Sequence, residues 1–207
     1  MIFDFDTLST HDRHKLLIST VVPRPIAWVT TLNVDGSVNA GPFSFFNVVC
    51  QKPALISVGV GSGERGESDL KDTGQNIRRT GEFVVNLVGY ANAPQMVLTA
   101  VNFEPGVSEV EKAGLETAAS IKVAAPRLAS SPVSLECRLH RTVDLVEGQV
   151  LVLGEVVAAH VRDDAVLDAG RCYIDTPRLD LVARMHGNGW YTRTTDWFQL
   201  PTPKPEA

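Results

Sequence analysis

The chain has few cysteines and no long apolar run, and each shortage excludes a class of protein. Its three cysteines, Cys50, Cys137 and Cys172, cannot all pair within one chain, and their spacing matches no zinc pattern. We therefore expect buried free thiols in a reducing cytoplasm. No stretch offers about 18 uninterrupted apolar residues, which excludes a membrane-spanning helix.

Positive charge is also scarce, since 19 Lys and Arg stand against 24 Asp and Glu, a net charge of −5. Nucleic-acid-binding proteins usually carry a basic face, so we expect no nucleic-acid partner. The length of 207 residues suits one domain, which we place at residues 1–200 with a tail at 201–207. The first residues lack the apolar core of a signal peptide, which agrees with a cytoplasmic location.

The pattern of apolar residues predicts many strands with short helices between them. Asp35-Gly36 predicts a two-residue hairpin turn, because glycine tolerates a positive φ. Strands are predicted over 26–32, 37–41, 54–60, 83–88, 133–140 and 149–161. Helices are predicted over 10–17 with Thr10 as cap, from Asp72 or Thr73 to Gly81, over 92–101, and from Ser108 to Gly114. Long crossover helices are missing, so we predict a mainly β protein, a closed antiparallel barrel with helical insertions, rather than a parallel sheet.

The first segment with chemical potential follows the predicted hairpin, at residues 42–47. Phe45 and Phe46 offer stacking surfaces, while Ser44 and Asn47 offer hydrogen-bonding groups for the edge of a heterocycle. The alternative is that these phenylalanines, with Phe43, are simply core, which the segment taken alone favours.

The second segment is the predicted helix start at Lys71. Unpaired amides and the positive end of a helix dipole bind anions, and Lys71 lies beside them. Asp72 opens the helix, Thr73 adds a hydroxyl, and Asn76 follows one turn later on the same face. An ordinary capped helix with solvated cations is an equally good interpretation of this segment alone.

The third segment, residues 184–191, mixes a cation, an imidazole, glycines and aromatics. Arg184 suits a phosphate, and His186 suits the edge of a ring site. The glycines permit close backbone approach to a ligand. The alternative is a glycine bend with a partly buried tryptophan.

Two further patterns are weaker indications of function than these three segments. Residues 61–66 (GSGERG) fit the dinucleotide pattern G-x-G-x-x-G, but no long apolar helix follows, so a surface loop is favoured. His11 and His14 share a predicted helix without an acidic partner pattern. We therefore predict no metal site and no catalytic acid, base or nucleophile.

Taken together, the three segments resemble the flavin reductase-like family, which has the FMN-binding split-barrel fold. The stretches that carry the resemblance are VVPRPIAWVTTLNVDGSVNAGPFSFFN, KDTGQNIRRTGEFVVN and ARMHGNGWYTRTTDWFQL, in the expected order between about residues 10 and 200. The resemblance implies a homodimer with one flavin per subunit near the subunit boundary. It also implies an FMN site formed by Thr30, Thr31, Ser44, Phe45, Phe46, Asn47, Lys71, Asp72, Thr73, Asn76 and Arg184, with His186 on the nicotinamide side.

The function that this resemblance implies is an NAD(P)H-dependent flavin reductase. FMN is the expected cofactor, with FAD possible, and NADH or NADPH is the expected donor. The reduced flavin would pass to a partner oxygenase or another acceptor. One alternative is a flavoredoxin-like electron carrier without nicotinamide turnover. Another is a related split-barrel protein that oxidises a phosphorylated small molecule or uses a deazaflavin. A flavin performs hydride chemistry itself, so no protein acid or base is required.

Overall fold

The structure is a computed structural model that describes residues 1–62, 70–101 and 108–203. The longer helices are α1 (Thr10–Thr20), α2 (Asp72–Thr80), α3 (Ala93–Leu98) and α4 (Glu109–Lys112), with 3-10 turns at Tyr90–Asn92, Asp163–Ala165 and Thr176–Leu179. The strands are β1 (Arg24–Pro25), β2 (Ala27–Leu32), β3 (Val38–Phe43), β4 (Phe46–Gln51), β5 (Ala54–Val60), β6 (Glu82–Leu87), β7 (Thr117–Ala118), β8 (Arg127–Leu128), β9 (Val133–Val146), β10 (Gln149–Val161), β11 (Val166–Asp168), β12 (Tyr173–Ile174), β13 (Val182–Arg184) and β14 (Tyr191–Arg193).

Seven strands form one antiparallel sheet in the order β3-β2-β6-β9-β10-β5-β4. Strands β3 and β4 are its two edges, yet only Ser44 and Phe45 connect them. Three Cα steps of about 3.8 Å hold Phe43 and Phe46 within roughly 11 Å. The Gly59 amide also donates to the Phe45 carbonyl at 2.7 Å. The sheet therefore curls until its edges meet at this end, and the predicted mainly β antiparallel barrel is confirmed.

The barrel interior is an apolar core closed at one end by α2. Inward residues of β2, β5, β6 and β10 pack there with Phe43 and with Ile77 of α2. A Cβ on Gly154 of β10 would overlap the Phe83 ring, so this glycine makes room for a fully buried phenylalanine. A second core lies outside the barrel, where Trp28 of β2 packs with Met96 of α3 and Val110 of α4.

The regular strands agree with the sequence prediction, and several turns and termini differ. Strands β5 and β10 have the predicted bounds, and Gly81 ends α2 with φ +71°. Ser9 caps α1 instead of Thr10, since its hydroxyl accepts from the Asp12 amide at 3.1 Å. The hairpin loop runs over residues 33–37, not two residues, because Leu32 pairs with Val38.

Residues 42–47, which the sequence places after the hairpin, are mostly part of strands. Pro42 and Phe43 end β3, and Phe46 and Asn47 begin β4, so only two residues lie between strands. Strand β9 extends to Val146, well beyond the predicted end at residue 140.

The three cysteines are unpaired, as expected, but only Cys137 is buried; Cys50 is half-buried and Cys172 is exposed. In the part of the chain that the structure describes, no helix has the length and apolar character needed to cross a bilayer. Of the GSGERG pattern, residues 63–66 lie outside the described residues, as do residues 204–207 of the predicted tail.

Candidate functional site

The second predicted segment meets the strands of the hairpin where α2 lies across β2 and β3; residues 42–47 of the first segment lie at the other end of β3. Asn39 Nδ2 lies 3.2 Å from Thr31 Oγ1 and 2.9 Å from Thr73 Oγ1. Asn76 Nδ2 reaches Thr31 Oγ1 at 3.1 Å and Asn33 Oδ1 at 2.8 Å. Thr31, Asn39, Thr73 and Asn76 are all at most 5% exposed. Polar side chains so deeply buried stay favourable because they satisfy one another, and they fix the helix on the sheet.

The start of α2 presents hydrogen-bond donors. Lys71 is the N-cap residue and no side chain caps the helix, so the Thr73 amide lacks an intrahelical acceptor. The prediction that Asp72 or Thr73 caps the helix was therefore wrong, because these are its first two helical residues. Within the described ranges, no carboxylate pairs with the half-buried Lys71.

Gly41 of β3 lies close to this helix start. A Cβ on Gly41 of β3 would lie 3.6 Å from Thr73 Oγ1, at ordinary contact distance. The Thr73 amide, the Thr73 hydroxyl and the Lys71 ammonium together form a donor set that suits an anion such as a phosphate.

Thr30 is not brought to this cluster. Successive residues of a strand point to opposite faces, and Thr31 takes the face that α2 covers. The Thr30 hydroxyl lies on the other face, 2.6 Å from the Pro126 carbonyl, and Asn86 Nδ2 donates to it at 3.2 Å.

At the far end of β3, Arg24 joins three separate segments. Its guanidinium donates to the Ile18 and Val21 carbonyls at the end of α1, at 2.8 and 2.7 Å. It also donates to the Met185 carbonyl at 2.7 Å and reaches Ser44 Oγ at 3.5 Å. A cation at a helix C-terminus is favourable because of the helix dipole. Arg24 therefore holds Ser44 beside the loop that carries His186.

The aromatic residues of the first segment divide between core and surface. Phe43 is 8% exposed and Phe46 packs against the barrel core, as the alternative interpretation held. Phe45 is 54% exposed, and its ring lies 6.4 Å from the His14 ring of α1. The Asn47 side chain is exposed and accepts from the Val48 amide at 2.8 Å. Phe45 thus supplies an apolar surface next to Ser44.

The third segment is the hairpin of β13 and β14. Arg184 pairs across the sheet with Arg24, and its guanidinium lies 4.7 Å from the centre of the Tyr191 ring. The exposed His186 stacks on Trp190 with ring centres 5.5 Å apart and planes 20° apart. Trp190 is 59% exposed, so it is not the partly buried tryptophan of the alternative interpretation.

Electrostatics differ between the two ends of β3. Burial lowers the pKa of Arg24, and the neighbouring charge of Arg184 lowers it further. Near the α2 end, burial raises the pKa of Glu109, whose carboxylate accepts from the Ala40 amide at 3.4 Å, and Asp72 adds to the rise. Two arginines therefore mark the Ser44 end, whereas carboxylates flank the α2 end.

Sequence reasoning missed Asn39 and Arg24. Both lie in the first stretch quoted for the family resemblance, VVPRPIAWVTTLNVDGSVNAGPFSFFN. For Asn39, the available signal was a polar residue on a strand next to apolar neighbours. The partners of Arg24 are up to 161 residues away in sequence, so no local pattern identifies its role.

A family model described as the flavin reductase like domain matches residues 18–176. The chain belongs to this family. The matched range includes the first two segments and excludes Arg184 and His186. Family membership assigns the chain a flavin-related redox function.

Solved structures of similar proteins agree in fold. The 2-nitrobenzoate 2-nitroreductase NbaA of Pseudomonas fluorescens is 31% identical, with a TM-score of 0.90 over 100% of this chain and 98% of that one. Nitrilotriacetate monooxygenase component B of Bacillus cereus is 30% identical, with a TM-score of 0.90 over 97% and 98%. A putative flavin reductase with a split barrel domain from Shewanella frigidimarina, 24% identical, has a TM-score of 0.82 over 98% and 100%. The barrel is therefore a split barrel of the flavin reductase type.

Proposed function

We propose that the protein is an FMN-binding flavin reductase that accepts hydride from NADH or NADPH and supplies reduced flavin to a partner oxygenase or another acceptor. The observation that carries this proposal is the convergence of three distant segments on the two ends of β3. Thr31, Thr73 and Asn76 meet at one end, and Ser44 meets the Met185 loop at the other.

The spacing of the two ends suits a mononucleotide with a long flat ring. Asn39 and Ser44 are five residues apart along an extended segment, about 17 Å at 3.3–3.4 Å per residue. The phosphate would lie at the α2 start, held by the Lys71 ammonium and by the hydroxyl and amide of Thr73. The ring would lie toward Ser44, Phe45, Phe46 and Asn47.

We assign the other predicted residues supporting roles. Asn76 and Thr31 fix α2, and Arg184 lies where its charge faces the ring end. Thr30 lies on the opposite face of β2, so among the predicted residues it has the least support for direct contact. FMN supplies the hydride chemistry when bound, while the protein binds it, orients it and excludes water. FAD is accommodated only if the space beyond the phosphate stays open.

His186 is our candidate for the nicotinamide side. It is exposed, stacked on Trp190, and follows Met185, whose carbonyl Arg24 fixes. A flat ring held between this pair and the flavin would be positioned for hydride transfer, which requires reacting atoms about 3–3.5 Å apart.

We also propose a homodimer. No residue of α1 is buried within the subunit, and its apolar Leu17 is 49% exposed. Phe45 contacts α1, and the edge strand β4 continues this surface with Val48 and Val49, 67% and 53% exposed. A second copy covering this apolar face would also cover the ring end of the site.

Steady-state oxidation of NADH and NADPH by purified protein with added FMN tests the reductase. The proposal predicts nucleotide oxidation that depends on protein concentration and saturates with FMN. A rate no faster than that of free FMN with the same nucleotide would contradict it.

The comparisons support a second candidate for the acceptor. Component B belongs by name to a monooxygenase, whereas NbaA is by name a nitroreductase. The proposed reductase would therefore pass electrons either to a partner oxygenase or directly to a small acceptor such as a nitroaromatic compound. Product analysis with 2-nitrobenzoate and NADH distinguishes the two.

The flavoredoxin-like electron carrier remains the alternative. Mixing FMN-loaded protein with NADH or NADPH without oxygen separates it from the reductase. A reductase bleaches the flavin absorbance rapidly. An electron carrier bleaches only with a chemical or protein reductant.

A further inference from the structure

The polar side chains beneath α2 form a hydrogen-bonded chain with a defined direction. Arg79 Nη2 donates to Asn76 Oδ1 at 3.3 Å, and a guanidinium has no acceptor, so this contact fixes the orientation of the Asn76 amide. The Asn76 Nδ2 group therefore points inward and donates to Thr31 Oγ1 and Asn33 Oδ1.

Asn39 continues the chain to the first turn of the helix. It is 5% exposed, and its Nδ2 donates to Thr31 Oγ1 and to Thr73 Oγ1. A hydroxyl oxygen has two acceptor positions and one hydrogen. Thr31 Oγ1 uses both acceptor positions for Asn39 and Asn76. Thr73 Oγ1 accepts from Asn39, and no acceptor for its own hydrogen is found among the described residues, so that hydrogen can bond to a ligand.

We propose that Asn39 is a positioning residue for the phosphate of FMN, acting through Thr73. By donating to Thr73 Oγ1, Asn39 turns that hydroxyl into a donor toward the proposed phosphate position at the start of α2. Phosphate oxygens accept hydrogen bonds, and a hydroxyl that already accepts one is polarised as a donor. This inference rests on the proposed FMN site and adds a residue that family resemblance did not include.

The test replaces the donor at Asn39 Nδ2 with an acceptor oxygen. Asn39→Asp keeps the shape but presents a carboxylate oxygen, which takes the Thr73 hydrogen and leaves a lone pair facing the phosphate. We expect the Kd for FMN to rise about 10–100-fold, the scale of a lost charge-assisted hydrogen bond. We expect the Kd for riboflavin, which lacks the phosphate, to change less than about threefold.

Asn33→Asp is the matched control for added negative charge. Asn33 Oδ1 already accepts from Asn76, so the carboxylate keeps that bond and reverses no donor to Thr73. Titration of flavin fluorescence measures the Kd for each variant. A double-mutant cycle is completed by introducing Asn39→Asp into a Thr73→Val background. There, Asn39→Asp should weaken FMN binding no more than Asn33→Asp does.

The outcomes separate this inference from the proposed function. Wild-type protein that binds FMN no more tightly than riboflavin contradicts the proposed phosphate anchor itself. If the wild type prefers FMN to riboflavin, but Asn39→Asp and Asn33→Asp lose the same amount of FMN affinity, only the role of Asn39 is contradicted. If Asn39→Asp does not fold, as judged by circular dichroism, Asn39→Ala replaces it. Because Thr73 then rotates freely, we expect an FMN-specific loss of about threefold to tenfold, and no such loss overturns the inference.

Discussion

At the scale of single residues, buried polar groups decide how this molecule is held together. Glu136 is fully buried on β9, and its two oxygens accept from the Ile121 and Lys122 amides at 2.8 and 2.6 Å and contact His160 Nε2 at 2.5 Å. Burial alone would raise the pKa of Glu136, but the hydrogen bonds from His160 and the two amides outweigh it and lower the pKa. The carboxylate thereby fixes the loop before β8.

We predict that Glu136→Gln lowers the free energy of unfolding by about 1–3 kcal/mol at neutral pH, the cost of weakening buried hydrogen bonds to a charged group. A depressed pKa means that this stabilisation is present above the ordinary glutamate pKa of about 4.3 and is lost as the pH falls through the lower folded value. Urea unfolding at neutral and acidic pH should show the difference from wild type shrinking in acid. Glu155→Gln is the control, because the described residues include no hydrogen bond to the Glu155 side chain. A difference that grows in acid would contradict the assignment.

Lys71 is the residue-scale test of the phosphate site. Lys71→Ala should weaken FMN binding by about 1–3 kcal/mol, because it removes one charge-assisted contact, and should leave riboflavin binding nearly unchanged. Titration of flavin fluorescence measures both ligands, and exposed Lys52→Ala serves as control. Equal losses for FMN and riboflavin would remove Lys71 from the phosphate site.

At the scale of elements, a single glycine permits two strands of the barrel to fit. Gly154 of β10 faces Phe83 of β6 across the interior, where a Cβ would overlap the ring. Gly154→Ala should destabilise the protein by about 1–3 kcal/mol through overpacking. Thermal unfolding measures the change in stability. Gly61→Ala is the control, because no atom of the described residues beyond its chain neighbours lies within 4 Å of its Cβ position. An unchanged melting temperature for Gly154→Ala would contradict this packing.

Local patterns predicted the elements well because apolar periodicity and glycine turns act locally. Strand β5 and the end of α2 at Gly81 follow directly from such signals. The β3–β4 connection was misjudged because the curl of the whole sheet makes a two-residue link between its edges possible. In the site, the sequence indicated Lys71, Thr73 and Asn76 through helix-start chemistry. It did not indicate Arg24, whose role depends on carbonyls from α1 and from the Met185 loop.

At the scale of the whole molecule, the exposed apolar face formed by α1, Phe45 and β4 is the surface that we propose a second copy covers. We predict a dimer in solution, and Val48→Asp should raise its dissociation constant more than about tenfold by placing a charge in the interface. Analytical ultracentrifugation measures this. Leu167→Asp is the control, because Leu167 is equally exposed at 68% and lies on β11, outside this face. A monomeric wild type, or equal effects of both variants, would contradict the proposed interface.

The central claim is that the two ends of β3 hold one FMN. A crystal structure of the protein with FMN tests it most directly. The account predicts the phosphate at the start of α2, within hydrogen-bond distance of Lys71 or Thr73, and the ring beside Ser44 and Phe45. Electron density for FMN at another place, or a cleft filled by the protein's own side chains in saturating FMN, would contradict it.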